Sequence, residues 1–122
     1  MKDDRLYLVH IIESIELVEQ YTSSGKETFL EDQKARDATL RRLQTLAEST
    51  TRLSEAARSS RPGINWSRIA GFRNVVTHDY LGLEHEKVWN VVRNELPELK
   101  SAARALLRER EEEAADDDKT NE

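Results

Sequence analysis

Four side chains that could act on a phosphodiester lie close together in the third quarter of the chain. They are Arg73, Asn74, His78 and Tyr80. Arginine carries a permanent positive charge, the imidazole of histidine exchanges a proton near neutral pH, and amide and phenol groups form hydrogen bonds. Cleavage of a phosphodiester needs a charge for the phosphate, a proton carrier and a donor that holds the geometry. The stretch therefore contains the groups that such a reaction requires.

The spacing of these residues predicts that they gather at the end of one helix. We predict that this helix begins near Asn65, a plausible N-cap, and ends just before Tyr80. Asn74 and His78 are four residues apart and share a face, with Arg73 beside them. The simpler explanation is a surface ion pair for Arg73 and a histidine favoured by the dipole at a helix C-terminus. Spacing alone favours that simpler explanation over a catalytic site.

The surrounding sequence resembles the HepT-like branch of the HEPN superfamily. The resemblance rests on the segments LAEST at 46–50, INWSRIAGFRN at 64–74, HDY at 78–80, VWNVV at 88–92 and ELPEL at 95–99. The hallmark of the superfamily is R-x4-6-H, which this branch extends to RN-x3-H-x-Y. Arg73, Asn74, His78 and Tyr80 fill every position of the extended motif. The resemblance covers about residues 5 to 107 and leaves out only the acidic C-terminal segment.

The resemblance implies a metal-independent endoribonuclease that is the toxin of a toxin–antitoxin pair. In that family His78 would be the general base or acid, Arg73 would stabilise charge on the phosphoryl oxygens, and Asn74 would orient the phosphate or the imidazole. The fold implied is an up-and-down four-helix bundle that forms a homodimer. The motif helices would face each other across the two-fold axis, so that both copies line one cleft that binds RNA.

The resemblance also implies a partner and a modification. The partner antitoxin would be a minimal nucleotidyltransferase of the MntA type, which transfers AMP from ATP to Tyr80. An added phosphate would bring negative charge and bulk beside the cleft and repel RNA. We expect neither a metal ion nor an organic cofactor in this chain, which has no Gly-rich phosphate loop and no metal-ligand spacing. The ATP and metal site would belong to the partner.

Two other classes of function stay open at this point. The chain could be a non-catalytic helical module, in which Arg73 and His78 hold the dimer or dock the nucleotidyltransferase, since a fold does not by itself specify cleavage. A small-molecule enzyme with its site in the bundle core has little support, because no ionisable residue lies within the apolar stripes.

The composition predicts a single all-α domain. The 122 residues include only four glycines and two prolines, 35% of them are charged, and no alternating strand pattern occurs. The absence of cysteine excludes a disulfide framework and a thiolate metal site. We predict helices over residues 4–21, 30–59, 65–79 and 84–108, with Pro97 kinking or restarting the last one. Trp66 is expected to anchor the third helix in the core, and Gly71 to mark a close contact between helices.

The charge is unevenly distributed along the chain. We expect residues 1–108 to form the HEPN-like helical bundle and residues 109–122 to form an acidic tail, in which a frayed helix end passes into disorder. The tail has eight acidic and two basic residues, whereas the rest has 16 acidic and 17 basic residues. The net charge of −5 therefore neither supports nor excludes binding of nucleic acid. Arg36, Arg41 and Arg42 are candidate contacts to RNA phosphates, although intrahelical pairs such as Asp37 with Arg41 explain them more simply.

The hydropathy pattern predicts a protein that does not enter membranes. No apolar run approaches the about 18 residues of a membrane-spanning helix, and the first residues do not have the pattern of a secretory signal. We expect a cytoplasmic protein.

Overall fold

The computed structural model describes residues 3–74 and 85–120, with side chains through residue 117. Every regular element in these two ranges is helical. In chain order the α-helices are α1 (Asp4–Tyr21), α2 (Lys26–Glu31), α3 (Gln33–Thr51), α4 (Glu55–Ser59), α5 (Trp66–Ala70), α6 (His85–Asn94) and α7 (Leu96–Thr120), and a 3-10 helix, η1, spans Gly71–Asn74. The predicted all-α class is confirmed for the described part of the chain.

Three long helices, α1, α3 and α7, form the frame of the molecule, and both α3 and α7 run antiparallel to α1. Contacts from successive positions of α1 show this direction. His10 lies 2.6 Å from Ser49 in α3. Near the two ends of α1, Glu19 pairs with Lys100 and Asp4 pairs with Arg110 in α7. The shorter elements pack around this frame, with α5 and η1 against α3 and α6 against α7 and α2.

The core follows from the helical spacing of apolar residues in the long helices. In α1, Leu8, Ile11, Ile15 and Val18 recur every three or four residues and are fully buried. Apolar side chains of the other helices complete one continuous cluster, among them Phe29, Leu43, Leu46, Ile69, Phe72, Trp89, Leu99 and Leu106. The ring of Trp89 lies 5.4 Å from that of Phe29, so α2 and α6 share this core.

The second helix differs from the prediction, because residues 26–59 form three helices instead of one over 30–59. Asp32 separates α2 from α3: its backbone N–H donates to the last turn of α2, and its carboxylate accepts from Ala35 N at 3.1 Å. Ser54 begins α4 in the same way, since its hydroxyl accepts from Ala57 N. Short polar side chains that cap a helix N-terminus therefore interrupt the predicted helix at two points.

The third helix begins as predicted but soon changes its geometry. Asn65 is its N-cap, with Oδ1 accepting from Arg68 N at 3.0 Å. The α-helix ends at Ala70, and the chain continues as η1 through Asn74. The expected close helix contact at Gly71 is wrong, because Gly71 is exposed and an added Cβ would meet no described atom within 4 Å. Trp66 is partly buried against the core, as expected of an anchor.

The last predicted helix is divided near Pro97, as the sequence indicated. One helix, α6, ends at Asn94, and α7 restarts at Leu96. Pro97 lies in the first turn of α7, where no intrahelical partner for its nitrogen is needed.

The last helix is longer than the predicted one, which ended at residue 108, because α7 continues through Thr120. Ion pairs explain the extension past residue 108. Arg61 lies 2.6 Å from Glu109, and Arg110 pairs both with Asp4 and with Glu113 one turn further on. The division of the chain into a bundle over 1–108 and a separate tail stays a prediction.

Candidate functional site

Arg73, the first residue of the sequence motif, lies in η1 with an exposed side chain. Its Nε donates to the backbone oxygen of Ala70 at 3.1 Å. This bond holds the base of the guanidinium group against the preceding turn. No hydrogen bond from a described residue engages its two terminal nitrogens, and the side chain as a whole is exposed. A guanidinium group placed in this way can bind a phosphate with two parallel hydrogen bonds.

Asn74 follows directly as the last residue of η1 and is also exposed. Arg73 and Asn74, which are consecutive in the sequence, are therefore both at the surface. The other two motif residues, His78 and Tyr80, lie outside the described residues. Their place beside Arg73 stays a prediction from the sequence.

Buried residues just before Arg73 hold η1 in place. Ile69 and Phe72 are 3% and 6% exposed and belong to the core, against which α5 and η1 pack next to α3. At the start of α5, Trp66 Nε1 donates to the backbone oxygens of Arg58 and Arg61 at 3.0 and 3.1 Å. The exposed Arg73 thus follows directly on residues that are packed in the core, which suits a group that must meet a ligand in a defined geometry.

The three arginines predicted as RNA contacts have different surroundings. Arg36 is half-buried, and its Nη1 donates to the backbone oxygens of Leu30 at 2.7 Å and Phe29 at 3.3 Å. It therefore satisfies the C-terminal carbonyls of α2. A basic residue just after a helix end is the sequence signal for such a bond, but the break between α2 and α3 was not predicted.

Arg41 and Arg42, unlike Arg36, form no hydrogen bond to the backbone of another described helix. Arg41 is exposed and donates to Gln44 Oε1 at 3.1 Å, instead of forming the suggested pair with Asp37. Arg42 is half-buried on the same helix. These two arginines stay candidate phosphate contacts.

Sequence reasoning missed a buried carboxylate, that of Asp4. Its oxygens accept from Ser54 N at 2.8 Å, from Ser54 Oγ at 2.7 Å and from Arg110 Nε at 3.2 Å. Burial alone would raise the pKa of Asp4, but the hydrogen bonds from Ser54 and the charge of Arg110 outweigh it and lower the pKa below 3.8. These three residues, which we call the Asp4 cluster, join α1, the start of α4 and α7.

The described residues include neither a candidate metal site nor a candidate membrane span. No three histidine, cysteine, aspartate or glutamate side chains of residues 3–74 and 85–120 are arranged to hold a metal ion. None of the helices in these ranges is both long and apolar enough to cross a membrane.

The fold and the exposed pair define a small all-α domain whose Arg73 and Asn74 begin an R-x4-H sequence motif. The chain belongs to the HepT-like family of the HEPN superfamily. The family model described as "Ribonuclease HepT-like" matches residues 11–106. The resemblance noted in the sequence is thereby confirmed, and the match takes in the whole motif.

Several curated sequences are similar to this chain. A putative RNase of Caldanaerobacter subterraneus subsp. tengcongensis is 31% identical over 88% of the chain and 96% of its own length. A protein of Thermococcus cleftensis named probable ribonuclease HepT is 33% identical over 77% of the chain and 86% of its own length. A Methanocaldococcus jannaschii protein named as a gamma-glutamylcyclotransferase and putative RNase is 33% identical over 88% of the chain, which spans about half of that relative (49%). No solved structure matches the chain.

Proposed function

We propose that this protein is a metal-independent endoribonuclease and the toxin of a toxin–antitoxin pair. The observation that carries the proposal is the exposed Arg73–Asn74 pair on the anchored η1 helix, in a chain that matches a ribonuclease family over residues 11–106. The relatives named as RNases support the same class of reaction. We place the protein in the cytoplasm, where its RNA substrate would be found.

The proposed reaction uses the ribose 2′-hydroxyl of the substrate as the nucleophile. His78 removes the proton from this hydroxyl, and the oxygen attacks the adjacent phosphorus. The bond from phosphorus to the 5′-oxygen breaks, which leaves a cyclic 2′,3′-phosphate on one product. The leaving 5′-oxygen takes a proton from an acid, a role that His78 of the partner subunit can fill. DNA lacks the 2′-hydroxyl and is not cut by this route.

Arg73 and Asn74 act on the phosphate in this scheme. As negative charge builds on the non-bridging oxygens, the two terminal nitrogens of Arg73 donate to them. The bond from Arg73 Nε to Ala70 O limits the freedom of the guanidinium group, so less conformational entropy is lost when the phosphate binds. Asn74 orients the phosphate or the imidazole by hydrogen bonding. Arg41 and Arg42 contribute weaker contacts to the RNA backbone.

A homodimer completes the proposed site. An isologous contact brings the same residues of two copies to the two-fold axis. Placing the motif segments there joins two copies of Arg73 and His78 in one cleft and provides both a base and an acid. The dimer therefore gives a chemical reason for a site built from one short motif.

The nature of the nucleophile can be tested with matched oligonucleotides in the presence of EDTA. One is all RNA, and the other has the same sequence with 2′-deoxyribose throughout. The proposal expects cleavage of the RNA alone, with a cyclic phosphate on the product. Cleavage of the deoxy version, or cleavage only after a divalent metal is added, would contradict it.

We further propose that a minimal nucleotidyltransferase of the MntA type neutralises the protein at Tyr80. The phenolic oxygen attacks the α-phosphorus of ATP, an O–P bond to tyrosine forms, the bond to the β-phosphate bridge breaks, and pyrophosphate leaves while the phenolic proton passes to solvent. The bound AMP then places negative charge beside Arg73. Co-expression followed by intact mass should show one added AMP on the wild-type chain and none on Tyr80→Phe. An added AMP on Tyr80→Phe would show that the site is elsewhere.

The alternative function is a non-catalytic module that docks the nucleotidyltransferase. The structural role of Arg36 favours it slightly, because one of three candidate RNA contacts is already engaged within the fold. Unmodified wild-type protein that binds the nucleotidyltransferase but cuts no RNA would identify this function.

A further inference from the structure

The face of α1 that points away from the core carries apolar side chains that the rest of the described structure leaves exposed. Leu6 is 68% exposed and Val9 is 39% exposed, and they are the large apolar residues most exposed among those described. Leu17 lies on the same face and is half-buried. Single exposed apolar residues are common, but three on one helix face opposite the core form a patch.

The residues along this face are complementary to the same residues read in reverse, because leucines match leucines and a basic group matches an acidic one. Leu6, His10, Glu13 and Leu17 fall within about 60° of one another around the helix. The apolar residues lie at the two ends, and a basic and an acidic group lie between them. The outer pair, Leu6 and Leu17, and the inner pair, His10 and Glu13, are both centred between residues 11 and 12. When the α1 helix of a second copy lies antiparallel to this one, Leu6 meets Leu17 and His10 meets Glu13. Each contact occurs twice, once on either side of the two-fold axis.

The surroundings of His10 leave it able to make such a contact. Its Nδ1 lies 2.6 Å from Ser49 Oγ, which fixes the ring, and no hydrogen bond from a described residue engages its Nε2. Glu13 is exposed and bonds to no described residue. A second copy can thus supply a carboxylate for His10 without breaking an existing contact.

We propose that the outer face of α1, consisting of Leu6, Val9, His10, Glu13 and Leu17, binds the same face of a second copy in antiparallel register. The contact buries the Leu6–Leu17 pair at each end and sets His10 against Glu13 of the partner subunit on both sides of a two-fold axis. One helix pair buries less than the about 1,200 Å² typical of a stable interface. The association is therefore reversible and depends on concentration.

This proposal is independent of the proposed ribonuclease function, because α1 contains none of the motif residues. It concerns a surface different from η1. If self-association through α1 is not found, the proposed ribonuclease function is unaffected, since the test below measures a contact and not cleavage.

The register can be tested by disulfide formation, because the chain has no cysteine of its own. Leu6→Cys and Leu17→Cys are purified separately in the full chain and mixed under mild oxidation. The proposal expects disulfide-linked heterodimers in the mixture, since residue 6 of one copy meets residue 17 of the other. Each variant alone should give only background, because like residues would lie about 16 Å apart along the helix axis, beyond the about 7 Å reach of a disulfide.

Two controls make the result decisive. Leu6→Cys mixed with Ser59→Cys, which adds an exposed cysteine on α4, measures linkage by random collision. Adding Glu13→Arg to both partners places like charges together and should reduce the linked fraction about tenfold. Circular dichroism checks that every variant is folded. Linkage no greater than in the Ser59 control, or equal linkage in the single variants, would overturn the proposal.

Discussion

The Asp4 cluster and the Arg73–Asn74 pair use the same kinds of side chain in opposite ways. In the cluster, Asp4 is 6% exposed and its charge is matched by Ser54 and Arg110 from two other elements. In the motif, Arg73 and Asn74 are exposed, and the one bond of Arg73 is to its own preceding turn. One arginine is held by a carboxylate over a separation of 106 residues, whereas the other is left free for a ligand.

The difference separates groups that stabilise the fold from groups available for chemistry. A buried charge with a complete set of partners contributes to stability, because removing one partner leaves the other without compensation. An exposed arginine without a tertiary partner contributes little to stability, and its charge is available to a phosphate. Substitutions should therefore affect stability in one region and activity in the other.

The largest expected effect is on cleavage, from Arg73→Ala. Loss of a group that stabilises the transition state should lower kcat about 10²- to 10³-fold. The free energy of unfolding should change by less than about 0.5 kcal/mol, because the exposed side chain bonds to no described residue beyond its own preceding turn. Cleavage rates and urea titrations of the same preparation measure both. Arg52→Ala, which removes another exposed arginine, serves as the control and should change neither quantity appreciably.

The largest effect on stability should come from Asp4→Asn. The change removes the charge that faces Arg110 and weakens the bonds from Ser54, at a cost of about 2 kcal/mol. Asp3→Asn is a matched control, because Asp3 is exposed and asparagine also caps a helix well. Urea unfolding should show a loss for Asp4→Asn alone. Equal losses in the two variants would mean that burial of Asp4 is not what matters.

The Asp4 cluster should also give stability a dependence on acid. Since the pKa of Asp4 is lowered in the folded protein, its carboxylate contributes its full stabilisation above the unfolded pKa near 3.8. The contribution is lost as the pH falls below this value toward the folded pKa. The difference in unfolding free energy between wild type and Asp4→Asn should therefore be constant from pH 5 to 7 and shrink below about pH 4. A difference that grows in acid would contradict this assignment.

A smaller effect distinguishes two arginines of α3. Arg36→Ala removes two bonds to the end of α2 and should cost about 1 kcal/mol of stability. Arg41→Ala should leave stability unchanged and weaken RNA binding uniformly across sequences, with a lower salt dependence. Thermal unfolding and RNA titrations at two salt concentrations separate these outcomes. An unchanged RNA affinity for Arg41→Ala would remove it from the site.

The smallest predicted effect is a gain in stability from Gly71→Ala. Its backbone is in the right-handed helical region and an added Cβ meets no described atom, so Gly71→Ala should stabilise the fold by about 0.5 kcal/mol. The melting temperature should rise slightly and cleavage should be kept. A loss of stability would show that the position needs glycine after all.

Much of the fold could be predicted from the sequence, because periodic and local signals determine it. The apolar spacing of Leu8, Ile11 and Ile15 predicted α1, and Asn65 and Pro97 predicted a helix start and a restart. The breaks at Asp32 and Ser54 were missed, since each lies inside a continuous helical pattern and acts through a cap that competes with it.

The parts that were missed depend on contacts between distant residues. The last helix was predicted to end near residue 108 because of the charge that follows, and pairing of Glu109 with Arg61 is not visible in the local pattern. The Asp4 cluster joins positions 50 and 106 residues apart. Of the candidate site, the motif identified Arg73 and Asn74, but nothing in the spacing predicted a 3-10 helix there.

The central claim, that the motif is the active site of a metal-independent ribonuclease, is tested most directly by RNA cleavage in EDTA with wild type and His78→Ala. An intact mass of each sample must show that Tyr80 carries no AMP, because the modification would silence an active enzyme. The account predicts cleavage by the unmodified wild type and none by His78→Ala, with equal helicity. Cleavage by His78→Ala at the wild-type rate, or none by unmodified wild type, would contradict it.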